Sequence, residues 1–281
     1  MLNWSAYYRL MRFHKPAGIV LLWVPTAWAL WLANRGMPSL VLLIYFFLGT
    51  VCMRAAGCVV NDIADRHIDK HVTRTQARPL TSGEINLFEA MALLFALLCI
   101  ALFIVTRLPI LCFYEALLAL FITIVYPFCK RIFQAPQLIL GLAFSMGIPM
   151  VYAASGKAPD QIMCLLFILN FAWIVAYDTM YAMVDRADDL LIGVKSTAIL
   201  FASYDRLIIG LLQLICHGFW LLIGLMIHAS VVFYVCWGIG LGIFIFQQYL
   251  LALRDHSSYW RAFVINGWYG LVMWLGLVGS S

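Results

Sequence analysis

Two groups of acidic residues could carry chemistry. In the first group, Asp62, Asp65 and Asp69 are spaced i, i+3 and i+7, so on a helix they would lie within one narrow stripe. The second group repeats this spacing far downstream and consists of Asp178, Tyr181, Asp185, Asp188 and Asp189. Together the two groups hold seven of the 13 acidic residues in the chain. Such concentration indicates a site rather than ordinary surface charge.

The oxygen ligands in these groups favour magnesium. Carboxylates without clustered thiolates suit Mg²⁺, which keeps several waters and bridges carboxylates to substrate phosphates. Basic residues that could bind the same anion are Arg74, Arg78, Lys130, Arg131 and Lys195. Carboxylates alone would repel a diphosphate, whereas carboxylates that hold Mg²⁺ beside these cations would bind it and stabilise it as a leaving group. We interpret His67 and His71, although spaced i, i+4, as polar loop residues.

A simpler interpretation is a pair of solvated helix ends whose aspartates form ion pairs with neighbouring arginines. A charge at the bilayer centre costs about 2.5–3.5 kcal/mol on insertion scales, so ionisable residues at span ends usually face a bundle interior or an aqueous cavity. Because both groups are striped and are expected on one face of the membrane, we favour a shared site.

The composition is that of an integral membrane protein. The 281 residues have a mean hydropathy of +0.96, and 11% of them are charged, whereas about a quarter are charged in soluble domains. The eight cysteines lie mostly inside apolar runs, which argues against a disulfide framework or a zinc site. The net charge of +5 does not indicate nucleic-acid binding, because the basic residues are spread over short connections.

Nine apolar segments are long enough to cross a bilayer, which needs about 20 mainly apolar residues. They are 16–33, 40–60, 87–106, 108–128, 136–155, 161–182, 207–227, 231–252 and 262–279. We therefore predict an all-α bundle of nine transmembrane helices, in which the run 207–253 forms two spans only if it turns near residues 228–230. The first run is long enough to span and is followed by further spans, which argues against a secretory signal.

The distribution of basic residues predicts the orientation. With the N-terminus in the cytoplasm, fourteen Lys and Arg residues fall on the cytoplasmic side and three on the other. The fourteen are Arg9, Arg12, Lys15, Arg66, Lys70, Arg74, Arg78, Lys130, Arg131, Arg186, Lys195, Arg206, Arg254 and Arg261. Because cytoplasmic loops are enriched in Lys and Arg, we predict a cytoplasmic N-terminus and a periplasmic C-terminus. Both acidic groups then face the cytoplasm.

The domain organisation follows from the same pattern. No separate soluble domain is visible, so we predict a single domain over residues 1–281. The segments 54–83 and 178–197 each carry one acidic group, which suggests a weak internal duplication.

The motifs resemble those of the UbiA-type intramembrane aromatic prenyltransferases. Asn61-Asp62-x-x-Asp65-x-x-x-Asp69 resembles the first aspartate-rich motif of the family, and Asp178-x-x-Tyr181-x-x-x-Asp185-x-x-x-Asp189 resembles the second. Flanking segments that look like the 4-hydroxybenzoate polyprenyltransferase branch are Lys15–Gly18, Leu22–Thr26, Met53–Cys58, Arg74–Thr75, Arg78–Leu80, Tyr126–Phe128, Lys130–Arg131 and Gly193–Thr197. Two complementary motifs are more specific than a single DxxD.

The resemblance implies a nine-helix bundle that opens laterally to lipid in the bacterial inner membrane, with its active site toward the cytoplasm. It implies Mg²⁺-dependent transfer of a polyprenyl chain from its diphosphate to the carbon ortho to the hydroxyl of 4-hydroxybenzoate, in ubiquinone biosynthesis. The metal and diphosphate roles carry over to Asn61, Asp62, Asp65, Asp69, Asp178, Asp185 and Asp189. Basic diphosphate contacts carry over to Arg74, Arg78, Lys130 and Arg131.

Two further residues are expected to bind substrate. Arg54 lies eight residues before Asp62, about 12 Å deeper along a helix. We expect Arg54 to bind the carboxylate of 4-hydroxybenzoate, and the alternative is an ion pair with Glu115. Tyr181 is expected to face an aromatic-lined cavity that accommodates the allylic chain.

Two other classes of function remain open. A cation transporter would need acidic residues near the midplane and no basic loops beside them. A related prenyltransferase would act on another acceptor, such as a naphthoate, a tetrapyrrole or a glycerol phosphate, and only the flanking motifs argue against it.

Overall fold

The structure, a computed structural model, describes residues 3–67, 69–71 and 75–280, and all regular secondary structure within these ranges is helical. In this part of the chain, nine helical segments are long and apolar enough to cross a membrane. The predicted all-α bundle of nine spans is therefore confirmed for the described residues, and the chain is a multi-pass membrane protein.

The described α-helices are α1 (Trp4–Leu10), α2 (Ala17–Asn34), α3 (Leu40–Asp65), α4 (Pro79–Ser82), α5 (Leu87–Val105), α6 (Ile110–Ile132), α7 (Pro136–Ser145), α8 (Gly147–Ala154), α9 (Gln161–Ile192), α10 (Thr197–Phe201), α11 (Asp205–Met226), α12 (Val231–Ala252) and α13 (His256–Val278). Short 3-10 turns cover Asp69–His71 and Ala202–Tyr204. The fifth span consists of α7 and α8, and the seventh extends from α10 through α11.

Polar caps define the ends of the two helices that carry the acidic groups. At the start of α3, the Ser39 side chain accepts a hydrogen bond from the backbone N–H of Leu42. At the start of α9, the Asp160 side chain accepts one from the backbone N–H of Met163. α9 ends at Ile192 and is capped by Gly193, whose φ of 73° lies in the left-handed region that glycine adopts readily. These caps fix where each helix begins or ends and thereby help to position the acidic side chains.

Two helix boundaries differ from the prediction at the site. α3 continues past residue 60 to Asp65, and α9 continues past residue 182 to Ile192. Hydropathy underestimates both helices because their polar last turns remain helical beyond the apolar run. Asp69 does not lie on the same helix as Asp62, since α3 ends at Asp65 and Asp69 begins a separate 3-10 turn. The predicted single stripe is therefore wrong for Asp69.

The predicted turn near residues 228–230 is confirmed. α11 ends at Met226 and α12 begins at Val231. Between them, His228 has a left-handed φ of 50°, which reverses the chain between the two spans.

Aromatic side chains fill the core between α2, α9, α11 and α13. The rings of Trp28 and Trp220 meet edge to face at 5.0 Å, and Trp173 lies 5.1 Å from Trp28. Trp28 donates a hydrogen bond from Nε1 to the carbonyl of Gly270 at 3.1 Å, so its polar atom is satisfied. A Cβ at Gly270 would lie 2.8 Å from Val24 Cγ1, and glycine therefore permits the close approach of α13 to α2. This half of the bundle is densely packed.

The other half of the bundle is hollow. Helices α2, α3, α5, α6, α7 and α8 surround a cavity of about 520 Å³. Residues on one face of α3 line the cavity at intervals of three or four positions. They extend from Tyr45 to Asn61, a distance of about 24 Å along the helix. The cavity therefore follows α3 through most of its length and ends beside the first acidic group.

Candidate active site

The first acidic group lies at the end of α3. Asp62 and Asp65 occupy the last turns of the helix, and Asp69 lies in the 3-10 turn that follows. Nη1 of Arg78 donates to Asp69 Oδ2 at 2.6 Å and is 3.1 Å from Asp62 Oδ1. Nζ of Lys130, at the end of α6, is 3.7 Å from Asp65 Oδ2. The structure thus brings the three carboxylates together with two of the predicted cations.

Arg12 is a site residue that the sequence analysis missed. Its Nη2 donates to Asp62 Oδ1 at 2.7 Å. Arg12 has a left-handed φ of 60°, a conformation that is uncommon for residues other than glycine and that clusters at functional sites. No spacing connects Arg12 to Asp62, because the two are 50 residues apart. The only available signal was the concentration of basic residues before the first span.

Burial explains why these carboxylates need cations. Asp62 is 1% exposed and Asp69 is 4% exposed. Burying a carboxylate is costly unless it is paired and hydrogen-bonded. Burial raises the pKa of Asp69, and the Arg78 guanidinium opposes that shift. Arg12 and Arg78 therefore stabilise negative charge in a part of the protein that excludes water.

The donor set fits a magnesium ion. Oδ2 of Asp62 is buried and has no hydrogen-bond partner among the described residues, so it is an oxygen available to a ligand. Within the described ranges, no three His, Cys, Asp or Glu side chains are placed to hold a metal by themselves. Mg²⁺ does not require such a cluster, because it is typically bound through one or two carboxylates together with waters and substrate phosphates.

The second acidic group lies entirely on α9, as predicted: Asp178, Tyr181, Asp185, Asp188 and Asp189. Its carboxylates are half-buried. The positive charges of Lys130 and Arg54 act on the Asp178 carboxylate and stabilise its charge. The negative charge of Asp185 opposes them. Because Lys130 also lies 3.7 Å from Asp65, it connects the two groups.

The remaining basic candidates have different positions. Arg131 donates from Nη2 to the carbonyl of Ala64 at 2.9 Å, which attaches the end of α6 to the end of α3. Lys195 donates from Nζ to the carbonyl of Ile132 at 2.9 Å. Both side chains therefore hold helix ends together beside the site. Arg74 lies outside the residues that the structure describes.

The cavity joins this charged layer to the interior of the membrane. Its polar end contains Asn61 and Arg54 of α3 and Tyr126 of α6. Its other end is lined by apolar and aromatic side chains such as Phe113 and Met150. The cavity can therefore accommodate a molecule with a charged head and a long apolar tail.

Arg54 does not pair with Glu115. Among the described residues, Arg54 has no ion pair, and Glu115 Oε2 is buried without a hydrogen-bond partner. The guanidinium of Arg54 lies against Gly18 of α2, where a Cβ would stand 2.4 Å from Nη2. The alternative interpretation of Arg54 as one half of an ion pair with Glu115 is thus wrong, and the side chain lines the cavity.

Tyr181 occupies a different place from the one expected. Its ring packs 5.0 Å from Phe263 and 6.1 Å from Trp260, both on α13. It is not one of the residues that line the 520 Å³ cavity, whose described lining includes Tyr126 near the charged layer. The prediction that Tyr181 faces the cavity failed because helical spacing gives the direction of a side chain but not the neighbouring helix.

Comparison with known proteins extends these observations. A sequence profile of the UbiA prenyltransferase family matches residues 22–275. The 4-hydroxybenzoate octaprenyltransferase of Legionella pneumophila (strain Lens) is 59% identical over 277 residues, which cover 99% of this chain and 98% of that protein. The protein of the same name from Serratia proteamaculans (strain 568) is 47% identical over 278 residues, which cover 99% and 96%.

Solved structures share the fold. A UbiA homolog from Aeropyrum pernix K1 superposes with a TM-score of 0.80 at 22% identity, covering 92% of this chain and 96% of that one. A UbiA homolog from Archaeoglobus fulgidus bound to GPP and Mg²⁺ superposes with a TM-score of 0.72 at 19% identity, covering 95% and 99%. At this level of identity the similarity concerns the fold of the bundle.

Proposed function

Since the chain belongs to the UbiA prenyltransferase family, we propose that it transfers an octaprenyl group from octaprenyl diphosphate to 4-hydroxybenzoate, at the ring carbon ortho to the hydroxyl, in ubiquinone biosynthesis. The observation that carries this proposal is the position of a layer of carboxylates and cations at one end of a long apolar cavity. An amphipathic diphosphate would place its head in the layer and its chain along α3.

The aspartates of both groups, together with the amide oxygen of Asn61, would hold the metal. Asn61, Asp62, Asp65 and Asp69 on one side and Asp178, Asp185 and Asp189 on the other are the proposed ligands. Mg²⁺, when bound, supplies positive charge to the diphosphate as the bond to the allylic carbon breaks.

The basic side chains bind and orient the same diphosphate. Arg78 and Lys130 already lie against the carboxylates and can donate to phosphate oxygens from there. Arg12 approaches the layer from the N-terminal side and is a third donor. As the carbon–oxygen bond breaks, its electron pair leaves with the diphosphate, and these cations stabilise the charge that develops there.

The acceptor ring reacts with the allylic cation that remains. Arg54 has no ion pair in the described part of the chain and lines the polar end of the cavity, so it would bind the carboxylate of 4-hydroxybenzoate. The ring carbon then forms the new bond and afterwards loses its proton. Tyr126, whose ring lies 5.1 Å from Lys130 Nζ, presents an aromatic face at the same end, which would stabilise a cation by about 0.5–2 kcal/mol.

A direct assay tests this proposal. Purified protein in lipid nanodiscs is given radiolabelled octaprenyl diphosphate, Mg²⁺ and one acceptor at a time: 4-hydroxybenzoate, a naphthoate or glycerol phosphate. We expect prenylated product with 4-hydroxybenzoate only, formed at least about 100-fold more slowly by Asp185→Asn in the same preparation. Equal transfer to the naphthoate would assign the chain to another acceptor, and no transfer to any acceptor would reject the activity.

The proposal includes an orientation in the bacterial inner membrane. The excess of Lys and Arg on one side supports a cytoplasmic N-terminus, a periplasmic C-terminus and an active site that faces the cytoplasm. A reporter fused after residue 281 should be translocated, whereas one fused after Arg131 should stay in the cytoplasm. Two cytoplasmic reporters would contradict this orientation.

A further inference from the structure

A second depression lies on the side of the bundle away from the cavity. It is a groove of about 550 Å³ between α11 and α12, within the range of about 300–1,000 Å³ that is usual for ligand pockets. It shares no lining residue with the 520 Å³ cavity. Its walls include Leu207, Leu214 and Ile245, which are between 60% and 64% exposed, so the groove opens toward lipid.

Polar side chains line the floor of this groove. Gln248 donates from Nε2 to Gln213 Oε1 at 2.9 Å, and Gln213 donates from Nε2 to Gln247 Oε1 at 2.6 Å. Gln247 in turn donates to the carbonyl of Ala262 at 3.2 Å. The three glutamines thus satisfy one another's hydrogen-bonding groups inside the bundle. A groove that only contacted lipid acyl chains would not need such polar side chains.

His217 is a polar residue of the groove that has a ring nitrogen without a hydrogen bond. It is 4% exposed, its ring stacks on Trp237 at 4.3 Å, and Nδ1 is 3.4 Å from the hydroxyl of Tyr269. Nε2 is buried and has no hydrogen-bond partner in the described part of the chain. When the Tyr269 hydroxyl donates to Nδ1, the imidazole proton is on Nε2, which then needs an acceptor. An unpaired buried donor is costly, so an oxygen atom from a ligand would stabilise this tautomer.

The depth of His217 limits the class of ligand. α11 spans Asp205–Met226, and His217 lies about 18 Å from the first residue of the helix and about 14 Å from the last. At the middle of a bilayer, phospholipids present only hydrocarbon. An oxygen at this depth belongs to a molecule that carries its polar group into the hydrocarbon region.

The charge of the groove limits the ligand further. The charged residue that lines it is Arg206, which lies 11 residues, or about 16 Å, from His217. A carboxylate on a ring bound beside His217 would therefore have no cation, which disfavours the carboxylated product of the proposed reaction. An uncharged ring is favoured, and the aromatic ring of Phe244, which lines the groove, lies 5.8 Å from that of His217.

We propose that the groove between α11 and α12 binds an isoprenoid quinone from the membrane, with a ring carbonyl accepting a hydrogen bond from Nε2 of His217 and the tail lying along Leu214 and Ile245. The site is separate from the active site and does not depend on the proposed transferase activity. Binding can therefore be measured in the absence of any diphosphate, and a failure of either proposal leaves the other testable.

The test is photolabelling of the full chain in phosphatidylcholine nanodiscs with a benzoquinone that carries an aryl azide and a decyl tail. Adducts are mapped by mass spectrometry, and affinity is measured by competition with unlabelled decylbenzoquinone. We expect adducts on α11 and α12 around the groove. His217→Phe should lower the affinity about tenfold, the loss that corresponds to one hydrogen bond of about 1.4 kcal/mol.

A second variant separates loss of the site from loss of the fold. Leu214→Trp fills the groove from its lipid-facing wall without touching the partners of His217, and it should abolish labelling. Leu222→Trp, at a 45% exposed position of the same helix that does not line the groove, should label like the natural chain. Retained labelling in Leu214→Trp, or adducts confined to the 520 Å³ cavity, would overturn the proposal.

An ordinary lipid groove is the competing outcome. If phosphatidylcholine with an azide on its acyl chain labels the same residues and decylbenzoquinone does not displace it, the groove has no preference for the quinone. If Arg206→Gln loses labelling while His217→Phe keeps it, the groove recognises an anionic head group. Either result would reject the assignment.

Discussion

The first acidic group, at the end of α3, is buried among cations, whereas the second, along α9, is half-buried. Asp62 is 1% exposed and contacts both Arg12 and Arg78 within 3.1 Å. Asp178 has no ion pair within the described ranges, although the charges of Lys130 and Arg54 act on it. The first group is therefore held by buried ion pairs, whereas the carboxylates of the second group are more accessible.

We expect this difference in burial to determine how much each carboxylate contributes to stability as well as to activity. Removing a carboxylate from the first group leaves buried arginines without their counter-charge, so we expect loss of both stability and activity. Removing one from the second group should affect activity alone. An aspartate of the second group that proves essential for folding would contradict this difference between the two groups.

The largest expected effect is on turnover. Asp65→Asn and Asp185→Asn preserve the shape of the side chain but weaken metal binding, so each should lower kcat by at least about 100-fold. The assay with radiolabelled octaprenyl diphosphate measures this directly. EDTA should inhibit the natural chain and Mg²⁺ should restore it, and full activity in EDTA would exclude the metal role.

The next effect distinguishes Arg54, which lines the cavity, from Arg12, which pairs with Asp62. Arg54→Lys should raise KM for 4-hydroxybenzoate roughly tenfold, because an ammonium cannot reproduce the planar fork that holds a carboxylate. Arg12→Gln should instead raise KM for the polyprenyl diphosphate by a similar factor. Equal changes in both KM values for either variant would remove the distinction between the two arginines.

A smaller effect is expected from Gly18→Ala. The new Cβ would lie 2.4 Å from Arg54 Nη2, so the flexible guanidinium must move, and KM for 4-hydroxybenzoate should rise roughly fivefold. Gly57→Ala is a matched control in the same cavity, because its Cβ would meet only Thr123 Cγ2 at 3.9 Å. An alanine usually stabilises a helix relative to glycine by up to about 1 kcal/mol, so neither variant should unfold. Similar kinetics for the two variants would contradict the role of the contact.

The smallest effect is on thermal stability. Asp62→Asn should lower Tm by roughly 5 °C, the shift that about 2 kcal/mol produces in a chain of this size. Asp185→Asn should change Tm less, by about 1 °C, because its half-buried side chain stays partly in contact with solvent and an amide can retain hydrogen bonds there. Circular dichroism of the two variants in the same detergent measures the difference. A lower Tm for Asp185→Asn would show that both groups are structural.

Much of the fold was predictable because a bilayer imposes long apolar helices, and the nine segments found by hydropathy correspond to those in the described residues. The helix ends were less predictable. Asp62, Asp65 and Asp185 lie on helices that continue beyond the apolar run, and hydropathy does not register polar turns that remain helical. The suggested duplication of the segments 54–83 and 178–197 stays a prediction.

The site was only partly predictable for a related reason. Spacing within one helix relates Asp62 to Asp65, but contacts between helices depend on packing that the sequence does not display. Arg12 was therefore missed and Tyr181 was assigned to the wrong surroundings. The contact between Arg54 and Gly18 could not be predicted either, because Gly18 makes room for the guanidinium by having no side chain.

The cluster of Trp28, Trp173 and Trp220 gives the protein an internal optical reporter. The three indoles belong to α2, α9 and α11, and the rings of Trp173 and Trp220 lie 5.1 Å and 5.0 Å from that of Trp28. At such separations their electronic transitions couple, so the near-ultraviolet circular dichroism should carry a signal that depends on the three helices staying together. Far-ultraviolet measurements follow helix content, which membrane proteins retain in detergent. The indole signal would therefore report loss of tertiary packing before any helix unwinds, without a label or a substrate.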